Sequence, residues 1–290
     1  MLSYKKNKER ENIKMSKIIS FFANKGGTGK STITATLATY MSQNGDNPLK
    51  NKKILLIDAD GQMDLTSYLY TKEHNNLTIG DALVSDLKAE DVIVKGFNEY
   101  CPNLDIIPSN RDINLLEEML SKKVGREKIA RRWFRKNKEI LNQYDYIFID
   151  INASAGLAGK NFLHVCDSIV FLLGYTENAS ARTTDDFIRE FLYEKELLEL
   201  DDEELSIYAI LNKYTVRRTT ATGIFEEELA EYPSLSEKIL DTKIHDSVVI
   251  KNAIAIATPV DEYVKQYGGN KRAIEDIESV INELINKGVL

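Results

Sequence analysis

Between Ile18 and Thr32 the chain reads I-I-S-F-F-A-N-K-G-G-T-G-K-S-T: an apolar strand, a turn rich in glycine, and the opening of a helix. Gly26, Gly27 and Gly29 let successive backbone N–H groups turn inward, at a helix N-terminus whose dipole favours anions. The segment fits the phosphate-binding P-loop pattern G-x-x-x-x-G-K-[ST], except that Asn24 stands at the first glycine. With Thr28 completing the loop, Lys30 supplies a point charge for the β- and γ-phosphates of ATP, Ser31 a hydroxyl for Mg²⁺, and Thr32 a contact to the α-phosphate. Beyond it, Ile33, Leu37, Tyr40 and Met41 recur at helical spacing and predict a stripe packed on a sheet.

Outward from this loop, apolar runs alternate with helical stretches: Ile18 to Ala23, Ile54 to Ile57, Leu104 to Ile107, Tyr146 to Ile149, Ile169 to Leu173 and Ile207 to Leu211. Near-continuous apolar strands mean a sheet covered on both faces, as right-handed βαβ crossovers produce. The expected class is α/β, a mostly parallel twisted sheet flanked by helices. Two of these strands end in acids. I-L-L-I-D-A-D places Asp58 and Asp60 on one side of a strand at its C-terminal edge. Y-I-F-I-D ends at Asp150, as the Walker B element that contacts Mg²⁺ requires.

The 290 residues are 29% charged and 43% hydrophobic, with no apolar run long enough to span a bilayer. Cys101 and Cys166 lie far apart, and His74, His164 and His245 are scattered, so no protein-ligated zinc or iron–sulfur site is expected and the reducing cytoplasm is the natural compartment. Residues 1–14 carry Lys5, Lys6, Lys8, Arg10 and Lys14 with little to bury, and are expected to be a disordered basic arm before a single domain over 15–290. A net charge of −7 argues against coating nucleic acid by bulk attraction and directs attention to local patches.

The early lysine of K-G-G-T-G-K-S-T, Lys25, makes this a deviant Walker A loop, and here the chain resembles the ParA/MinD family of P-loop ATPases, with a SIMIBI-like fold. The resemblance implies that Lys25 reaches across an ATP-sandwich homodimer to the partner's phosphates. It further implies that Asp58 helps hold the Mg²⁺ shell and that Asp60 positions the attacking water. In A-I-L-N-K-Y it makes Asn212 the base contact, and in T-P-V-D-E-Y it places Pro259 beside the base. Gly61, and the run from Ile151 to Ala153, depart from the prolines usual in the family's switch segments, and slow, partner-dependent hydrolysis is expected.

Two basic surfaces are candidates for DNA. Between Lys122 and Lys138 nine basic residues face the single acid Glu127. Read as a helix, this stretch buries Trp133 and Phe134 and leaves Arg131, Arg132 and Arg135 on the wet side. The resemblance points instead to Arg217, Arg218 and Lys251, although His245 and Asp246 replace a common Pro-Arg pair. The tail from Ile274 to Leu290 carries Glu275, Asp276, Glu278 and Glu283, so an anionic membrane would repel it, and it is expected to pack its aliphatic stripe on the domain. The reading is a cytoplasmic, nucleoid-associated ParA-type ATPase that binds DNA non-specifically and partitions a plasmid or chromosome with a ParB-type centromere-binding protein. The alternative is a MinD-like or cargo-positioning regulatory ATPase.

Overall fold

A computed structural model describes residues 15–70, 77–96, 98–110, 116–175, 180–200, 205–217 and 219–290. The expected basic arm over 1–14 lies outside them. The strands are β1 (Lys17–Phe22), β2 (Ile54–Ala59), β3 (Leu104–Ile107), β4 (Tyr146–Ile151), β5 (Ser168–Gly174), β6 (Ser206–Tyr214) and β7 (Ile239–His245). The helices of the first half are α1 (Lys30–Ser42), α2 (Asp64–Leu69), α3 (Ile79–Ser85), α4 (Ala89–Val92), α5 (Leu116–Ser121), α6 (Ile129–Lys136) and α7 (Lys138–Leu141). Those of the second are α8 (Leu157–Leu163), α9 (Ser180–Leu197), α10 (Thr220–Ala230), α11 (Pro233–Ser236), α12 (Val248–Ala255), α13 (Val260–Tyr267) and α14 (Arg272–Asn286). The sheet order is β3-β2-β4-β1-β5-β6-β7, and every pair is parallel.

Successive side chains of a strand leave by opposite faces, and this splits the apolar core in two. Phe22, Leu55 and Ile57 join one cluster, which α3, α5, α6, α8 and α9 cover. Ile19, Phe21, Ile54 and Leu56 join the other, beneath α1, α12, α13 and α14. Each fully buried aliphatic side chain contributes roughly 1.5–3 kcal/mol. The first helix is more deeply enclosed than a one-sided stripe: the buried set includes Thr34, Thr36, Thr39 and Ser42 as well as Leu37 and Met41. Their hydroxyls donate to carbonyls one turn back, at 2.6–2.9 Å, so they enter the core without an unmet hydrogen bond.

The edge strand β7 escapes the apolar-run criterion because only Leu240 and Ile244 are buried along I-L-D-T-K-I-H. Its outward amides are capped by carboxylates of α14. Glu283 accepts from Asp241 N at 2.8 Å and Thr242 N at 2.9 Å, and Asp276 accepts from His245 N at 2.9 Å. The acids of the tail thus cover a sheet edge, while Ile277, Val280, Ile281 and Leu284 face the core as expected. Among the described residues no helix is long and apolar enough to cross a membrane.

Between α8 and α9, His164 is 4% exposed and its ring stacks on Phe191, with centroids 4.9 Å apart. Burial pushes its pKa down, against the pull of Glu194, and Lys160 and Lys195 add to the depression. Below pH ~6.5 the unfolded chain therefore takes up a proton that the folded chain resists, so this residue makes stability fall as the pH drops. Replacing His164 with glutamine is expected to flatten the fall between pH 7 and 5 in denaturant titrations. An unchanged slope would remove His164 from the account of acid sensitivity.

Candidate functional site

The loop between β1 and α1 turns at two left-handed glycines, Gly27 (φ 78°) and Gly29 (φ 94°). A Cβ on Gly29 would also lie 2.8 Å from Asn212 Nδ2, so a side chain is barred there both by conformation and by space. Gly26 needs neither allowance. Asn212, at the end of β6, donates to Thr28 O at 2.6 Å, and its neighbour Lys213 donates to Gly27 O. Asn24 donates to Thr183 O at 2.9 Å, which ties the start of the loop to α9. Thr32, at the first turn of α1, is half-buried, as is Lys25. Lys30 and Ser31 are each 8% exposed.

In the adjacent strands, Asp58 and Asp150 stand opposite each other in register. Both are fully buried, yet their environments differ. Asp58 Oδ2 accepts from Thr66 N at 2.8 Å and Thr66 Oγ1 at 2.6 Å, and Oδ1 accepts from Asp60 N at 3.1 Å. Burial pushes its pKa up to about 6. Among the described residues, neither oxygen of Asp150 completes a hydrogen bond. Burial, and then the charge of Asp58, raise its pKa well above the usual carboxylate range; the nearby Ser31 hydroxyl and Lys30 ammonium oppose the rise without completing a well-formed bond. Orphaned buried carboxylate oxygens are costly unless a cation meets them. With a hydroxyl at hand, this donor set suits Mg²⁺ brought in by a phosphate ligand. Asp58 has less capacity to spare, since three bonds already hold it. Among the described residues no group of His, Cys, Asp and Glu is arranged to hold an ion unaided.

Asp60, 6% exposed, sits just above this pair, and its Oδ1 accepts from Gln62 N at 2.9 Å and Asn152 Nδ2 at 3.2 Å. On the other side of the loop, a cleft of about 160 Å³ opens between Thr32, Ile33, Asn212 and the turn from Ile244 to Lys251. Sequence reasoning missed this turn as a cleft wall because it missed β7, which delivers it. It also missed Lys213 and Asn152, for which sequence offers no signal beyond a place at a strand end. Pro259, expected beside the base, directly precedes α13 and is not among the residues that line this cleft. Asp261, two residues on, accepts from Gln43 and Lys50 at 2.8 and 2.6 Å, beyond the C-terminal end of α1. The phosphate loop is at the other end of that 13-residue helix, ~20 Å away.

A larger cavity of about 620 Å³ lies between α5, α8 and α9. Its charges are largely spent on one another, Arg126 on Glu127 and Lys160 on Glu194, and Glu117 caps the amides of Leu157 and Ala158. The smaller cleft, by contrast, is bounded by Gly27, Gly29 and Thr32 of the phosphate loop.

The two basic surfaces lie at opposite ends of the parallel sheet. Arg131 and Arg135 border a hollow with Ser16, Ile18 and Asp167, at the entry of β1 and β5, whereas the phosphate loop follows the exit of β1. Arg131 is buried, at 8% exposure, rather than on the wet side, since the buried face of α6 includes it along with Ile129, Ala130, Trp133 and Phe134. Arg132 and Arg135 are exposed. Arg217 is exposed after β6, and Lys251 is exposed at the rim of the cleft, where it pairs with Asp246 at 2.6 Å. Arg218 lies outside the described residues.

A sequence profile of the AAA domain family matches residues 16–190. The chain is 34% identical over 157 residues to the sporulation initiation inhibitor protein Soj of Bacillus subtilis, covering 54% of this chain and 57% of that one. It is 26% identical over 275 residues to a virulence plasmid ParA family protein of Chlamydia psittaci, covering 93% of this chain and 95% of that one. A Borrelia burgdorferi B31 structure assigned as a plasmid partition protein, bound to AMPPNP, superposes with a TM-score of 0.72 at 26% identity, covering 94% of this chain and 99% of that one. The chain spans about half the length of the first curated relatives it matches.

Proposed function

The chain belongs to the AAA domain family and is a ParA/MinD-type P-loop ATPase, and from that premise we propose that it hydrolyses ATP to drive partition of a DNA molecule. The observation that carries the reading is Asp150: two buried, orphaned oxygens beside Ser31 and Lys30, one strand away from a glycine loop. The amides of Gly26 to Thr32 cradle the triphosphate, Lys30 neutralises its β- and γ-groups, and the cleft by Asn212 receives the base. Ser31 and Asp150 would hold a Mg²⁺ ion, which would neutralise charge that develops on the phosphates. Asp58 pins the Asp60–Thr66 segment, and Asp60 orients the water that attacks the γ-phosphorus, giving ADP and phosphate.

Lys25 crosses to the phosphates of a second copy, and the resulting homodimer doubles the basic surface. Lys251 lines the cleft and Arg217 is exposed just after β6, whose Asn212 and Lys213 also line it, so theirs is the basic surface nearer the nucleotide, while the α6 face lies at the other end of the sheet. Phosphate contacts of this kind are sequence-independent and weaken steeply with salt. The family and the plasmid-borne relative support a ParB-type centromere-binding partner and a nucleoid-associated place in the cytoplasm. The test is retention on random-sequence DNA across a salt series, with and without ATP. Binding is expected only with ATP, to weaken as salt rises, and to vanish in Lys25→Ala and Lys30→Ala. Retention indifferent to nucleotide contradicts the reading and favours a regulator that uses the same switch without DNA.

A further inference from the structure

Because Asp58 faces Asp150 and Ala59 faces Ile151 in register, the next residues out, Asp60 and Asn152, stand opposite each other where β2 and β4 end. Asn152 uses both ends of its side chain. Its Oδ1 accepts from Ser154 N at 2.9 Å and fixes the turn after β4. Its Nδ2 donates to Asp60 Oδ1 at 3.2 Å, across to the turn after β2. From this geometry we infer that Asn152 is a positioning residue for hydrolysis: it clips the Asp60 carboxylate in the orientation that aligns the attacking water, and so joins the two turns into one unit.

The clip has work to do. Asp58 and Asp150 both feel the charge of Asp60, so the three carboxylates repel one another. Within its own turn, Asp60 Oδ1 is restrained only by the Gln62 amide, and Gly61 between them adds no stiffness. A donor from the neighbouring strand opposes the drift that repulsion favours. An oriented carboxylate matters because a misplacement of ~1 Å costs about a hundredfold in rate.

The inference rests on the reading of Asp60 as the residue that orients water, and the experiment separates the two. ATP turnover by the purified full chain with Mg²⁺ is compared with that of Asn152→Asp, Asn152→Ala and Asp60→Asn, with KM and the affinity for a non-hydrolysable ATP analogue measured alongside. Asn152→Asp preserves size and the acceptor for Ser154 N but turns the donor into a carboxylate oxygen that repels Asp60, so native turnover in it excludes the clip, and Asn152→Ala removes the donor without adding charge. We expect kcat to fall about tenfold or more in Asn152→Asp and severalfold in Asn152→Ala, with KM and analogue affinity of Asn152→Ala within about twofold of the native chain. Native kcat in Asn152→Asp, with Asp60→Asn inactive, overturns the clip alone. A parallel loss of kcat and analogue affinity in Asn152→Ala also overturns it, since that marks collapse of the turn. Native kcat in Asp60→Asn overturns the reading of Asp60, and a native chain that binds the analogue without ever hydrolysing ATP overturns both.

Discussion

Lys30→Ala is expected to abolish ATP hydrolysis and to weaken nucleotide binding by about two orders of magnitude. The ammonium sits at the N-terminus of α1 with 8% exposure, so little solvent screens it from a phosphate placed on the loop. It also lowers the proton affinity of Asp150 and Asp64, and it is therefore a cation that the acidic end of the sheet depends on. Without it, Asp58, Asp60 and Asp150 confront a triphosphate with the metal alone to mediate. Calorimetric titration with an ATP analogue reads the binding, and phosphate release reads the turnover. A variant that kept native affinity would show that the loop amides hold nucleotide unaided.

Asp150→Asn is expected to move stability and activity in opposite directions. Two carboxylate oxygens with no partner, in a residue with no solvent exposure, carry a desolvation cost that a neutral amide reduces. The ligand-free variant should gain about 1–3 kcal/mol, a rise of a few degrees in Tm. Hydrolysis should fall by about a hundredfold or more, and Mg²⁺ should no longer add to the stabilisation given by nucleotide. This is the pattern of a site that trades stability for function. Thermal melts at pH 7.5 with and without Mg²⁺ and nucleotide decide it, and a variant less stable than the native chain when both are ligand-free would show that Asp150 serves the fold instead.

What sequence alone could disclose followed the physics of each segment. The loop and six of the seven strands were legible because an apolar run, a glycine cluster and a terminal carboxylate are local signals. The seventh strand was not, because an edge strand needs only one buried face; its other side is satisfied by Glu283 and Asp276, more than thirty residues away. The difference between Asp58 and Asp150 was equally hidden. Both end apolar strands, and only the fold brings Thr66 to one and leaves the other bare. The same holds for Arg131, which charge assigns to solvent and which the packing of α6 places on its buried face.

The central claim is that nucleotide joins two copies of this chain through Lys25. Light scattering on the purified protein, saturated with Mg²⁺ and AMPPNP, measures it directly. The account predicts a monomer without nucleotide, a doubled mass with it, and a Lys25→Ala variant that binds the analogue yet keeps the mass of one chain. A native chain that holds the analogue at saturation and still scatters as a monomer would contradict it.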